Sequence, residues 1–231
     1  MMKTLGIVVY ENAQAMDILG PWEVLGCWKN TLNAPIEMYL ISEQGDEVHC
    51  MNNITLKTHF NFRNSPPIDY LIIPGGIGRL KEVQNEKTIS FIQEQAKNAQ
   101  YILSVCTGMF LLHKAGLLHN QSVTTYWRAL SEASFFSDLK IVEERIVKSD
   151  KIWCAGGISS GIDLAFEFIN EIAGKEVAGK VQLLFEYFPT RHNYCTPELL
   201  HSLPAYYGSE YNNTQLPKYI NDYLSKNKKQ K

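Results

Sequence analysis

The sequence contains no apolar run approaching the ~18 residues that mark a membrane-spanning helix. It also shows nothing shaped like a secretory leader. Ahead of Glu11, the stretch MMKTLGIVVYEN holds only a six-residue apolar segment, LGIVVY, which is the length of a buried strand. Charge of one sign is missing too. The formal net charge is −2 over 231 residues, so no basic field invites nucleic acid or an anionic membrane. The five cysteines (Cys27, Cys50, Cys106, Cys154 and Cys195) are odd in number and widely spaced, and no C-x-x-C occurs. That disfavours a disulfide framework and a zinc module. The lone H-x-x-C from His192 to Cys195 has no second ligand pair. The expectation is a reduced, cytoplasmic protein without a metal, touching neither membrane nor nucleic acid.

What the sequence does have is a 45% hydrophobic composition and an alternation of short apolar strands with helical patterns. LGIVVY (5–10), IEMYLIS (36–42), DYLII (69–73) and YILSV (101–105) read as strands. EVHC and ITLKT flank MNN as a hairpin, and ERIVKSDKIWCAGG (144–157) forms a second one turning at Ser149-Asp150. Helical spacing marks 15–28, with Pro21 near its start, and 85–99, with Ile89, Ile92 and Ala96 on one face. Further helices are expected over TGMFLLHKAGLL, over 159–174 and over 175–188, with Gly174 between the last two. Strand–helix alternation of this kind predicts a mostly parallel sheet covered by helices on both faces. Residues 1–188 form this α/β unit, and 189–231, rich in Asn, Tyr and Pro, form an irregular extension with a short helix and a basic tail, packed on the unit or trailing from it.

In such sheets ligands bind beyond the carboxyl ends of the strands. Three features lie there and are expected to meet: Cys106 after YILSV, the Gly75-Gly76-Ile77-Gly78 turn after DYLIIP, and Asp17 at the start of the first helix. Cys106 reads either as a small buried hydrophobe or as a nucleophile on a strand-to-helix elbow, S-x-C-x-G, with Gly108 permitting close approach. On the second reading a helix N-terminus lowers the thiol pKa. The glycine turn serves positive φ, or offers backbone N–H donors to a developing charge, or both. It is no dinucleotide fingerprint, because Lys81 occupies the position a third glycine would need. Asp17 is either a helix cap or a carboxyl held protonated beside sulfur, able to donate a hydrogen bond and deliver a proton. No histidine follows Cys106, so no Cys–His dyad is written locally. Tyr126-Trp127-Arg128 and the loop at Gly156-Gly157 are candidate walls of the same pocket.

The strings MDILGPWEVL, DYLIIPGG, SVCTGMFLLHKAGLL, VTTYW and GGISSGIDLAFEFINEIAGKEVAGKVQLLFEY resemble the ThiJ/PfpI superfamily of the class I glutamine amidotransferase-like fold, and within it the isonitrile hydratase-like subgroup. The resemblance implies a flavodoxin-like three-layer α/β sandwich, commonly a homodimer. It implies Cys106 as elbow nucleophile, Asp17 as acidic partner and Thr107 as a further functional residue. Gly75, Gly76, Ile77, Gly108, Tyr126 and Trp127 then surround a small electrophilic substrate. The implied reaction hydrates an isonitrile to an N-substituted formamide without a metal or organic cofactor. Glyoxalase-like hydration of methylglyoxal to lactate and a cysteine-based redox or ligand sensor are the alternatives. Thr107 stands where the peptidases of the superfamily carry histidine, which disfavours proteolysis. Tyr126 stands where the subgroup usually shows histidine.

Overall fold

Apolar runs of the strand length noted above build the centre of the molecule, which the computed structural model describes for residues 1–189, 194–206 and 215–227. In chain order, β1 (Lys3–Val8) leads to α1 (Ala15–Leu32), β2 (Ile36–Ser42), β3 (Glu47–His49), β4 (Thr55–Lys57), β5 (Phe60–Asn61) and β6 (Tyr70–Ile73). Next come α2 (Arg79–Glu82), α3 (Glu86–Asn98), β7 (Tyr101–Val105), α4 (Met109–Lys114), β8 (Ser122–Val123) and α5 (Leu130–Ala133). The chain continues through β9 (Lys140–Ile141), β10 (Ile146–Ser149), β11 (Ile152–Ala155), α6 (Ser160–Ala173) and α7 (Lys175–Leu184) to α8 (Lys218–Asn227).

Seven strands form one sheet in the order β10-β11-β7-β6-β1-β2-β5. Every pairing in it is parallel except β10 with β11. All four residues of β6 and all four of β11 are buried, as expected of strands covered on both faces. Each fully buried Leu or Ile there contributes about 1.5–3 kcal/mol. One helical layer has α1 packed on α6 and α6 on α7; the other brings α4 against α2 and α3. The hairpins at 47–57 and 146–155 form as the sequence predicts. Asn85 caps α3, its side chain accepting the Lys87 N–H at 3.1 Å.

The expected elements shift in four places. The first strand ends at Val8, with Val9 and Tyr10 still buried beyond it. Pro21 lies well inside α1, where its missing N–H leaves the Asp17 carbonyl without the usual helical partner. Its ring packs against Gly161 of α6 instead. The helix after Cys106 opens as a 3₁₀ turn, Cys106–Gly108, and α4 adds only six residues. Finally, α7 stops at Leu184, and Glu186 adopts φ +52°.

Register sets the height of the site. Ile73 of β6 pairs with Ser104 of β7, and Ser104 with Cys154 of β11. The three following loops therefore leave the sheet side by side. The chain runs from β1 to one side into β2 and to the other side into β6, so the crevice lies where strand order reverses. Gly108 is essential to this closeness, since a Cβ there would sit 2.2 Å from the Ile73 carbonyl oxygen. Gly108→Ala is expected to destabilise the protein by about 3 kcal/mol. A lowered denaturant midpoint reads this directly, and an unchanged midpoint would show that the end of β6 yields freely.

Candidate active site

Cys106 sits at φ +57°, a left-handed conformation that costs a non-glycine residue about 1–3 kcal/mol. The surroundings hold it there from both sides. Its N–H donates to the Gly156 carbonyl at 3.0 Å, and its carbonyl accepts the Thr125 hydroxyl at 2.7 Å. Cys106 borders a cavity of about 190 Å³ whose lining also includes Gly76, Ile77, Thr107, Tyr126, Ile158 and Tyr206. The residue itself is only 5% exposed. A larger hollow of about 490 Å³ lies elsewhere, among Glu43, Asp46 and Glu82, and includes neither Cys106 nor Asp17.

Asp17 is fully buried and serves as no cap for its own helix. Its Oδ2 accepts the Gly75 N–H at 2.8 Å, across 58 residues of sequence. The Cys106 thiol is near enough to draw the Asp17 pKa down, though less than the Gly75 N–H does. Oδ1 is buried without a hydrogen-bond partner. Burial raises the Asp17 pKa to about 8, against the opposing pull of the Gly75 N–H and the thiol. At neutral pH the group is therefore mostly a carboxylic acid. With Oδ2 accepting from Gly75, the acid proton belongs on Oδ1.

The expectation of an acidified thiol is overturned. Burial, and after it the charge of Asp17, pushes the Cys106 pKa well above the ordinary value. The N–H groups of Thr107 and Ile158, with the Thr107 hydroxyl, pull the other way without prevailing. A six-residue helix behind a 3₁₀ turn supplies too little dipole to offset desolvation. The resting pair is thus a neutral thiol beside a neutral acid.

Of the two roles expected of the glycine turn, positive φ is met at Gly76 and N–H donation to a developing charge is not. The Gly75 N–H is committed to Asp17, and the Gly76 N–H donates to Thr107 Oγ1 at 3.1 Å. Neither is left to receive a developing charge. The donors aimed at sulfur come from Thr107 and from Ile158, a β-branched residue at φ +40° in the loop after β11. Gly75 admits no side chain because a Cβ would lie 2.4 Å from the Thr107 nitrogen. Gly76, at φ +124°, would meet Gln14 at the same distance.

Ile77 and Tyr126 line the cavity as expected, whereas Trp127 stands beside it, its ring 6.1 Å from that of Tyr126. Gly108 lies beneath, under the end of β6. Sequence reasoning passed over Gln14, Met51, Arg79, Leu80 and Tyr206, all of which border the cavity. No local motif announces them, since they converge from four separate segments. Arg79 is spent on a bidentate pair with Glu132 and lies over the Phe110 ring at 4.0 Å. None of the described histidines lines the cavity: His113 pairs with Asp138 at 3.1 Å, and His59 accepts the Leu40 N–H. His192 falls outside the described residues. Among the described residues no cluster of three or more His, Cys, Asp or Glu is placed to hold a metal ion, and no helix is long and apolar enough to cross a membrane.

Residues 3–171 match the DJ-1/PfpI family. Isonitrile hydratase of Pseudomonas putida is 31% identical over 185 residues, covering 80% of this chain and 78% of that enzyme. A ThiJ/PfpI family protein from Pseudomonas syringae superimposes with a TM-score of 0.77 at 23% identity, over 98% of this chain and 86% of that one. The transcriptional regulator GbdR of Pseudomonas aeruginosa is 24% identical over 150 residues, which is 64% of this chain and 41% of the regulator.

Proposed function

The chain belongs to the DJ-1/PfpI family, and from that premise we propose that it is a cysteine-dependent hydro-lyase that hydrates an isonitrile to an N-substituted formamide. The observation that carries this reading is the placement of Cys106 at the wall of a small cavity with the buried, protonated Asp17 carboxyl behind it, near enough to feel the thiol. Its support is the similarity to isonitrile hydratase along most of both chains.

An isonitrile, R–N≡C, is compact and uncharged, and suits a cavity lined by Met51, Ile77, Leu80 and Ile158 together with two tyrosines. Its terminal carbon carries a lone pair and becomes strongly electrophilic once protonated. A neutral acid is therefore the group needed first. Asp17 gives its Oδ1 proton to that carbon, Cys106 sulfur bonds to the same carbon, and the thiol proton passes to the carboxylate. The product is a thioimidate, R–N=CH–S–Cys106, and Asp17 is again an acid.

Water then adds across C=N. Asp17 protonates nitrogen and takes a proton from the water oxygen, giving R–NH–CH(OH)–S–Cys106. In the collapse, the C–S bond breaks, the hydroxyl proton returns to Asp17, and sulfur recovers a proton as the formamide leaves. Each step moves one proton in and one out through the same carboxyl, a task suited to a group with a pKa near 8. The N–H groups of Thr107 and Ile158 steady charge on sulfur as bonds form and break.

The test is formamide production from a simple alkyl isonitrile, followed by loss of the isonitrile infrared band. Turnover well above buffer is expected, and a rate equal to buffer for a series of alkyl and aryl isonitriles rejects the substrate assignment.

A further inference from the structure

Resting on the function proposed above, we propose that Tyr206, held in place by Arg128, is the specificity-determining wall of the Cys106 cavity, restricting it to isonitriles with compact R groups. Tyr206 belongs to the extension beyond residue 188 that the site chemistry does not use. Residues 201–205 are exposed, and Tyr206 alone in that stretch turns inward to line the cavity. Its ring meets that of Tyr126 at 5.4 Å and an interplanar angle of 62°, closing the space above Cys106. Tyr126 has no room to retreat, because it packs onto Gly157 so closely that a Cβ there would lie 2.2 Å from it. An aromatic pair fixed on one side makes the other member the one that sets the opening.

Arg128 fixes that member. Its guanidinium donates to the Pro204 carbonyl and lies over the Tyr206 ring at 5.4 Å. It also lies over Trp127 at 5.9 Å. Arg128 follows closely on Thr125, whose hydroxyl holds the carbonyl of Cys106. The wall and the elbow are thus braced by one short segment. The extension is anchored a second time by α8, where the Lys218 N–H donates to Glu143 at 2.8 Å and Leu224 is buried. Tyr206 therefore stands on the body of the protein and is no stray side chain. The resulting cavity, about 190 Å³, is well below the ~300–1,000 Å³ of sites for drug-sized ligands.

The experiment separates the wall from the reaction. Cys106 is labelled with N-methylmaleimide and with N-(1-pyrenyl)maleimide, the same reactive group carried on a small and a large body. Rates are read at the Cys106 peptide by mass spectrometry in wild type, Tyr206→Ala, Tyr206→Phe and Arg128→Ala. In Tyr206→Ala and Arg128→Ala the preference for the small reagent is expected to fall at least about tenfold, the discrimination a pocket contact typically supplies. Tyr206→Phe, which keeps the ring, should retain the wild-type preference. The kcat/KM ratio of 1-adamantyl to methyl isonitrile should shift in the same two variants. An unchanged reagent preference in Tyr206→Ala, or in a folded Arg128→Ala should the former fail to fold, overturns the proposal. So does a Phe variant that behaves as Ala. A wild type inert to every isonitrile but with the shifted maleimide preference rejects the hydratase reading while upholding Tyr206 as the wall.

Discussion

Asp17→Asn is expected to abolish turnover and at the same time to raise the melting temperature. The loss follows from the chemistry: the amide keeps the shape and accepts the Gly75 N–H through its oxygen, yet it cannot pass a proton. A fall of about 10²–10⁴-fold in kcat is expected for a missing acid–base group. The gain follows from linkage. In the unfolded chain Asp17 ionises near its ordinary value of 3.8, while in the fold its pKa is about 8. Below pH 4 both states hold the proton and the buried carboxyl costs little. Between pH 4 and 8 the unfolded chain releases its proton and the folded protein does not, so wild-type stability declines as pH rises; above pH 8 both are ionised and the penalty stays at its maximum. At pH 7 the penalty amounts to about 4 kcal/mol. Burying the asparagine amide offsets part of the gain, leaving a net of roughly 2 kcal/mol. For a chain of this size that is a rise of roughly 4–8 °C. Calorimetry at several pH values checks it: the gap between variant and wild type should open from pH 4 to pH 8 and then level off. A gap independent of pH would mean that Asp17 is ionised in the fold. Wild-type kcat/KM should likewise decline above pH about 8, as the acid proton is lost.

Cys106→Ala is expected to reduce formamide production at least about 10⁴-fold, the scale of a lost covalent nucleophile. The fold should survive, since Thr125 and Gly156 hold the backbone of residue 106 and not its sulfur. In wild type quenched during turnover, the Cys106 peptide should gain the mass of one intact isonitrile, because addition expels no leaving group. An Ala variant that turns over normally, with no adduct in wild type, would transfer the reaction to water activated directly by Asp17. The raised thiol pKa has its own signature. Alkylation of Cys106 by iodoacetamide at neutral pH should be slower than that of free cysteine, and the rate should keep climbing past pH 9. A plateau at neutral pH would restore the acidified thiol that the sequence suggests.

That suggestion shows where a linear reading stops. A cysteine at the end of a strand, followed by Thr-Gly and a helical run, gives the elbow correctly. It gives the sign of the pKa shift wrongly, because the length of the helix and the depth of burial are not local properties. The glycine turn behaves the same way. Its need for positive φ at Gly76 is legible, but the partners of its N–H groups are not. Those depend on Asp17 and Thr107 arriving from α1 and from the elbow.

The sequence by itself determined the parallel sheet, most strand bounds, both hairpins and the convergence of Asp17, Gly75-Gly76 and Cys106 at one sheet edge. Period and chirality fix strand order locally, and strand ends must then gather on one side. Only the tertiary structure decided the protonation of the site and the rest of its walls. Desolvation is a sum over everything that surrounds a group, and Gln14, Met51 and Tyr206 border the cavity beside Cys106 from segments that share no spacing with it.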